Sequence, residues 1–319
     1  MSGWTCAQAP DRRLPAPRAW RGLGRHELLV LDLAGVGGEP DHWLALWWAA
    51  RQLDSAGLVV SGMERGWQAR ARLARRITRS LGRIGVVHVA GAQARAGAGA
   101  WIAAGLPDSH EDAPVSMHLR SALTQVLPSY APRIRWVCCG PATNLMAALT
   151  DDAEAAGASL GLARRCSVTL LADDRYVSAD PAAVEHVLAN VGEVTVVDPS
   201  ALAGAGLVWD EASVVGARVQ DSSLPGVADF RRHLRHWQGR TGRREVVLGA
   251  PAALAAALGR GTRYRHTTVA LGATGLVLGA GGHPARVATV EVAEVLGMLA
   301  TALTPEPELE YAQFERVRL

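Results

Sequence analysis

Glu27-Leu28-Leu29-Val30-Leu31-Asp32 is a compact apolar run closed by an acid, and its reading decides the fold. That pattern marks a parallel strand buried on both faces, with its C-terminal end meeting solvent. A glycine-rich loop, Leu33 to Pro40, follows. Asp41 then stands as the N-cap of a helix over Trp43 to Leu53, apolar on nearly every face and so destined for the interior.

Working outward, Gly57 to Ser61 reads as a second strand, and Trp67, Ala71, Ala74, Ile77 and Leu81 fall at helical spacing before Gly82 ends the helix. Val86 to Val89 is strand, and Ala90 to His110 is a Gly/Ala-rich loop placed to cover a pocket. Helix at Ser116 to Leu127, strand at Ile134 to Cys139, a helix starting at Asn144 and strand at Ser167 to Ala172 continue the alternation. Asp180-Pro181 supplies an N-cap and a first-turn proline, and Val194 to Val197 is the next strand. Strands alternating with helices imply a mostly parallel, doubly wound α/β sheet. Beyond it come a helix carrying Phe230, Leu234 and Trp237, a strand at Glu245 to Leu248, and a helix from Pro251 to Leu258. Antiparallel hairpins over Thr262 to Val292 form a small addition near the C-terminus, before a closing helix from Ala293 to Leu303. The expected organisation is an irregular, Pro- and Arg-rich arm at 1–25, one α/β domain at 26–304 and a tail at 305–319.

Composition narrows the chemistry. All 33 basic residues are arginine, so a Schiff-base or phosphate-loop lysine is excluded. A formal charge of +3, with arginines interleaved among acids, argues against a nucleic-acid partner. The arm lacks the apolar segment of a secretory signal, and no uninterrupted apolar run of roughly 18 residues follows, so the reading is a cytoplasmic protein with no membrane partner. Cys6, Cys138, Cys139 and Cys166 have neither disulfide-framework nor zinc spacing and read as core thiols in a reducing compartment.

Ligands of a doubly wound sheet bind outside the carboxyl ends of the strands, so the loops after Asp32, Ser61, Cys139, Ala172 and Leu248 should border the site. Those loops carry a resemblance. Leu29-Val30-Leu31-Asp32 followed by Asp41-His42-Trp43-Leu44-Ala45-Leu46 is similar to a stretched D-x-D-x-G-x-D-D-x-x-A-L motif. Ser61-Gly62 stands where a G-N pair belongs. Gly140-Pro141-Ala142-Thr143-Asn144-Leu145 resembles G-P-L-T-N-L, Ala179-Asp180-Pro181-Ala182-Ala183 resembles a D-P-E-A helix start, and Leu248-Gly249-Ala250-Pro251 takes the place of H-D-P. Together these resemble the inosine-uridine-preferring nucleoside hydrolase family over roughly residues 27 to 303.

The resemblance implies a nucleoside hydrolase-like fold, a calcium ion held by aspartates and a threonine carbonyl, a ribose diol bound to it, and an aspartate that activates water. Calcium needs six to eight oxygens converging on one point. Here the second aspartate of the opening becomes Ala34, the paired aspartates become Asp41 and His42, and the late H-D pair becomes Gly249-Ala250. The G-N asparagine becomes Met63, and the E-F-N-I segment becomes Asp174-Arg175-Tyr176-Val177. No metal ligand set and no cofactor are therefore expected.

The candidate catalytic residues are Asp41, His42 and Asp32, with Met63, Thr143, Asn144, Asp174 and Tyr176 as substrate contacts. Asp before an apolar run is very often only a cap, His42 can be a satisfied structural histidine, and Trp43, Trp47 and Trp48, which could line an aromatic pocket, are on an all-apolar helix more often core. His110, Glu111 and Asp112 read as a solvated charge run. Three functions stay open. One is a repurposed, calcium-independent enzyme acting on a small molecule, with specialised metabolism a natural setting, by acid/base chemistry at the strand ends. Another is a catalytically inactive relative that binds a ligand or a partner protein. The third is a conventional N-ribohydrolase whose metal site is rebuilt around Glu39 and Asp41. A homo-oligomer is compatible with each.

Overall fold

The computed structural model describes residues 27–33, 38–52, 58–62, 67–83, 86–91, 119–127, 133–155, 157–273, 275–279 and 281–304. In chain order the elements are β1 (Glu27–Leu33), α1 (Pro40–Gln52), β2 (Leu58–Gly62), α2 (Trp67–Ser80), β3 (Val87–Ala90), α3 (Leu119–Val126), β4 (Arg133–Cys139), α4 (Thr143–Glu154), α5 (Leu162–Arg165), β5 (Cys166–Leu171), α6 (Asp174–Ala179) and α7 (Pro181–Asn190). They continue with β6 (Glu193–Val197), α8 (Pro199–Gly204), β7 (Val208–Trp209), α9 (Val214–Asp221), α10 (Val227–Thr241), β8 (Val246–Val247), α11 (Gly249–Leu258), β9 (Thr262–Leu271), β10 (Leu276–Leu278), β11 (His283–Val290) and α12 (Val292–Ala302). The expected arm at 1–25, the loop over 92–110, Met63 and the tail at 305–319 lie outside the described residues.

The main sheet has nine strands in the order β10-β9-β11-β6-β5-β4-β1-β2-β3. From β1 the chain winds outward through β2 and β3, then returns to the other side of β1 with β4 and winds through β5 and β6. All these pairs are parallel. The direction of winding reverses between β1 and β4, and such a switch point opens a crevice at the strand C-termini.

Side-chain alternation along β1 feeds two cores. Leu29, Leu31 and Leu33 pack with α1, α2 and α9 to α12, whereas Leu28 and Val30 pack with α3, α4 and α7. Helices thus cover both faces, which is why β1 reads as a continuous apolar run.

The hairpin region is antiparallel as expected, and it is continuous with the main sheet because β11 pairs in parallel with β6. One expected strand is corrected. Glu245 to Leu248 does not join the main sheet; only Val246 and Val247 are strand, paired antiparallel with β7 in a separate two-stranded ribbon. The ribbon partner, β7, is two residues long and leaves no periodic signal.

At the centre lies α11, whose ten residues are all buried. Six alanines and a glycine give it a thin profile, and it packs against α1 and the strands β4, β5 and β6. Trp43, Trp47 and Trp48 on α1 are each at most 1% exposed and belong to the core around it. Cys138, Cys139 and Cys166 are buried free thiols.

Candidate functional site

A helix sealed inside the protein cannot leave its first N–H groups to water. α11 has no side-chain cap of its own. Pro251 has no N–H, Ala252 donates to the Leu248 carbonyl, and Ala250 donates to Asp41 Oδ2 at 2.9 Å. This corrects the local reading of Asp41. The helix α1 already starts at Pro40, so Asp41 sits inside its first turn, and the end it caps is that of α11. A Cβ at Gly249 would crowd the Leu171 side chain at 3.1 Å while leaving Asp41 Oδ2 in ordinary contact at 3.6 Å.

Asp41 is only 6% exposed. Burial, followed by repulsion from Glu39, pushes its pKa up to about 7, against the opposing pull of the Ala250 and His42 backbone bonds and of Arg175. The α11 dipole favours the anion, but desolvation outweighs it. Because the folded state holds this proton more tightly than an unfolded chain with pKa 3.8, the stabilisation is complete below pH 3.8 and is lost as pH rises to about 7. Buried His88 and His233, lowered mainly by desolvation to about 3 and about 4, act in the opposite sense and destabilise the fold as pH falls below 6.5. The Asp41 contribution is isolated by subtraction. Asp41→Asn should gain stability relative to wild type by up to about 4 kcal/mol between pH 4 and pH 7. Urea titrations of both proteins across that range test this; a constant difference would contradict a raised Asp41.

The other site candidates form buried pairs. Asn144, at the start of α4, donates to Asp32 Oδ1 at 2.8 Å, directly over the β1/β4 switch point. Tyr176 Oη lies 3.2 Å from His42 Nε2, the donor being set by the histidine tautomer, and His42 is fully buried. Thr143 Oγ1 donates to Asp180 Oδ2 at 2.5 Å, while Asp180 Oδ1 accepts from Ala183 N and caps α7 as its sequence announces. Cys139 is no nucleophile: burial first, then the charges of Asp41 and Asp32, hold its thiol well above the usual range.

A cavity of about 400 Å³ opens over the ends of β5 and β6. Asp41, Asp174, Tyr176 and Gly249 line it, while Asp32, His42, Thr143 and Asn144 do not. Asp174, Arg175, Tyr176 and Val177 lie in the short helix α6, capped by Asp173. Sequence reasoning missed several lining groups. Asp198 follows β6 as Asp32 ends β1, so the strand-end rule reaches it. Trp237 shares an apolar stripe with Phe230 and Leu234 and gives no separate sign.

Comparison with solved structures shows the fold of nucleoside hydrolases. A plant nucleoside hydrolase matches with TM-score 0.65 at 16% identity, over 88% of this chain and 99% of its own. The inosine-uridine-preferring nucleoside hydrolase from Bacillus anthracis matches with TM-score 0.62 at 11% identity, over 87% and 98%. The purine-preferring ribonucleoside hydrolase from Gardnerella vaginalis matches with TM-score 0.63 at 17% identity, over 87% and 98%. No protein-family model matches the chain, and neither does any curated protein. At such identities the shared property is the fold, and the chemistry rests on this chain's own side chains.

Proposed function

We propose that this chain of nucleoside hydrolase fold is a divergent, calcium-independent enzyme that converts a small molecule by acid/base chemistry at Asp41. The observation that carries the reading is a buried carboxyl with a pKa near 7 on the wall of a ligand-sized cavity. Such a group has both protonated and ionised forms at neutral pH, so it can take a proton from water or a hydroxyl and return it to a leaving group. The α11 N-terminus holds its Oδ2 through Ala250 and fixes its direction. Tyr176 lines the same cavity, and its hydroxyl is held by His42 behind it.

Calcium, the metal that the resemblance implies, does not fit the described donor set. Asp32 Oδ1 is bonded to Asn144, a fully buried His42 stands where the second of the paired aspartates belongs, and position 250 offers a methyl group and an N–H in place of a carboxylate. Among the described residues no three His, Cys, Asp or Glu side chains converge closely enough to hold a metal. No step is therefore routed through an ion.

The test is an assay of chelator-treated protein against a panel of nucleosides and other small glycosides, with and without added calcium. Turnover that survives chelation is expected. Base release from inosine or uridine that appears only with calcium would sink the proposal. A second reading, a ligand-binding protein without turnover, is favoured by the satisfied pairs Asp32–Asn144 and Thr143–Asp180, which serve a scaffold as well as a reaction. It predicts saturable binding of a small molecule with no product by mass spectrometry.

Among the described residues no helix is long and apolar enough to cross a membrane.

A further inference from the structure

On the face of the main sheet that α11 covers, β5 and β6 change character along their length. Near their ends Leu171 and Val197 belong to the core, but two residues earlier on the same face stand Thr169 and Thr195. The register sets Thr169, Thr195 and Arg286 of β11 side by side. Strands covered on both faces are otherwise apolar, so a polar row here is exceptional. Above it α11 ends in the small residues Ala256, Ala257 and Gly259, and a cavity of about 80 Å³ lies between helix and sheet.

The lining of this cavity offers donors. Thr169 is only 4% exposed, and its hydroxyl makes no hydrogen bond among the described residues. Arg286 spends Nη2 alone, on Glu193 Oε1 at 2.6 Å and Thr195 Oγ1 at 3.0 Å, while its Nε is buried without a partner among the described residues. The guanidinium is held over the Tyr264 ring, 5.2 Å from its centre. The nearby acceptors are taken, since Ala256 O receives the Tyr264 hydroxyl and Ala257 O receives Arg135 Nη1. A buried hydroxyl without a partner is costly, so a ligand that accepts hydrogen bonds accounts for its retention.

We propose that this cavity binds a free inorganic oxyanion of phosphate or sulfate size, held by Arg286 and Thr169. Its volume is several times the roughly 10–15 Å³ that one water needs and far below the roughly 300–1,000 Å³ of organic-ligand sites, so an ion of five heavy atoms fits and an organic substrate does not. A guanidinium fixed by stacking is the side chain best matched to such an ion. Glu193, whose side chain is 48% exposed, can turn to water and release Nη2 as the ion enters. The site is separate from the Asp41 cavity. The first turn of α11 meets Asp41 and its last turn covers the oxyanion site, ten residues and about 15 Å along the helix.

Calorimetric titration of phosphate and of sulfate into the whole protein, with sodium chloride holding the ionic strength constant, should show saturable binding of one ion per chain. Thr169→Val keeps the shape of the side chain and removes the hydroxyl, so it should weaken both ions by about tenfold. Without added ion the same variant should melt no lower than wild type, because the group it loses is a buried donor with no partner. Glu193→Gln leaves β5 untouched and should tighten binding by loosening the hold on Arg286. Phenyl phosphate, too large for the cavity, should bind at least about tenfold more weakly than phosphate. A cavity that holds water alone gives no saturable heat with either ion, and that result overturns the proposal. So does unchanged affinity in Thr169→Val, weaker binding in Glu193→Gln, or equal affinity for phenyl phosphate.

Discussion

Asp41→Asn is expected to lower turnover by about two to four orders of magnitude on any substrate that the wild-type protein converts. The substitution is close to isosteric, and the Asn side-chain oxygen can still accept from Ala250 N, so the N-terminus of α11 stays capped. What disappears is the proton itself. Asparagine neither takes one from a nucleophile nor gives one to a leaving group, and no described neighbour stands ready to replace it. Arg175 is tied to two acids, Tyr176 is held well above the usual phenol range by burial and then by the Asp41 and Glu39 charges, and Cys139 remains a thiol. The loss should fall on kcat more than on KM, because the proton moves in the transition state. The same variant should keep its cooperative unfolding and gain stability toward pH 7. That combination separates a chemical defect from a folding defect. Unchanged kcat in a stable Asp41→Asn protein would remove Asp41 from the chemistry and leave it as the cap of α11 alone.

The fold was legible where local pattern and burial coincide. Four strands of the parallel sheet, β1, β4, β5 and β6, are short apolar runs because both of their faces are covered, and Asp180-Pro181 announces α7 because a cap and a first-turn proline act locally. The site was legible only in part. Asp41 was marked as a polar residue near the crevice, yet its partner Ala250 is 209 residues away, and Glu39 meets Arg175 across 136. No local periodicity encodes such pairs. The identity of Asp41 as a cap was visible, but which helix it caps depends on α11 being threaded between α1 and the sheet. Likewise the ribbon of β7 and β8 arises from two residues on each side, too few to alternate. The resemblance placed Thr143 and Asn144 at the site by order along the chain. Their side chains bond Asp180 and Asp32, partners that lie 37 and 112 residues away and that order along the chain does not reveal.

Trp47→Ala should cost about 3–5 kcal/mol of unfolding free energy, a large share of the roughly 5–15 kcal/mol typical of a folded domain. Trp47 is 1% exposed on α1, whose neighbours are α2, α10, α11 and α12, and deleting its indole opens a cavity that alanine-rich α11 cannot fill. Packing of the indole is the contribution, since the buried Trp47 N–H has no hydrogen-bond partner among the described residues. Trp47→Phe therefore removes an unsatisfied donor together with some volume, and its cost should be far smaller, about 1 kcal/mol. The order separates the two readings left open by the indoles of α1. A core indole predicts a large loss for alanine, a small loss for phenylalanine, and unchanged affinity for any cavity ligand in the folded fraction. An indole lining a ligand pocket predicts the opposite, a modest change in stability with a lost ligand, and urea unfolding beside a binding titration of the same variants decides between them.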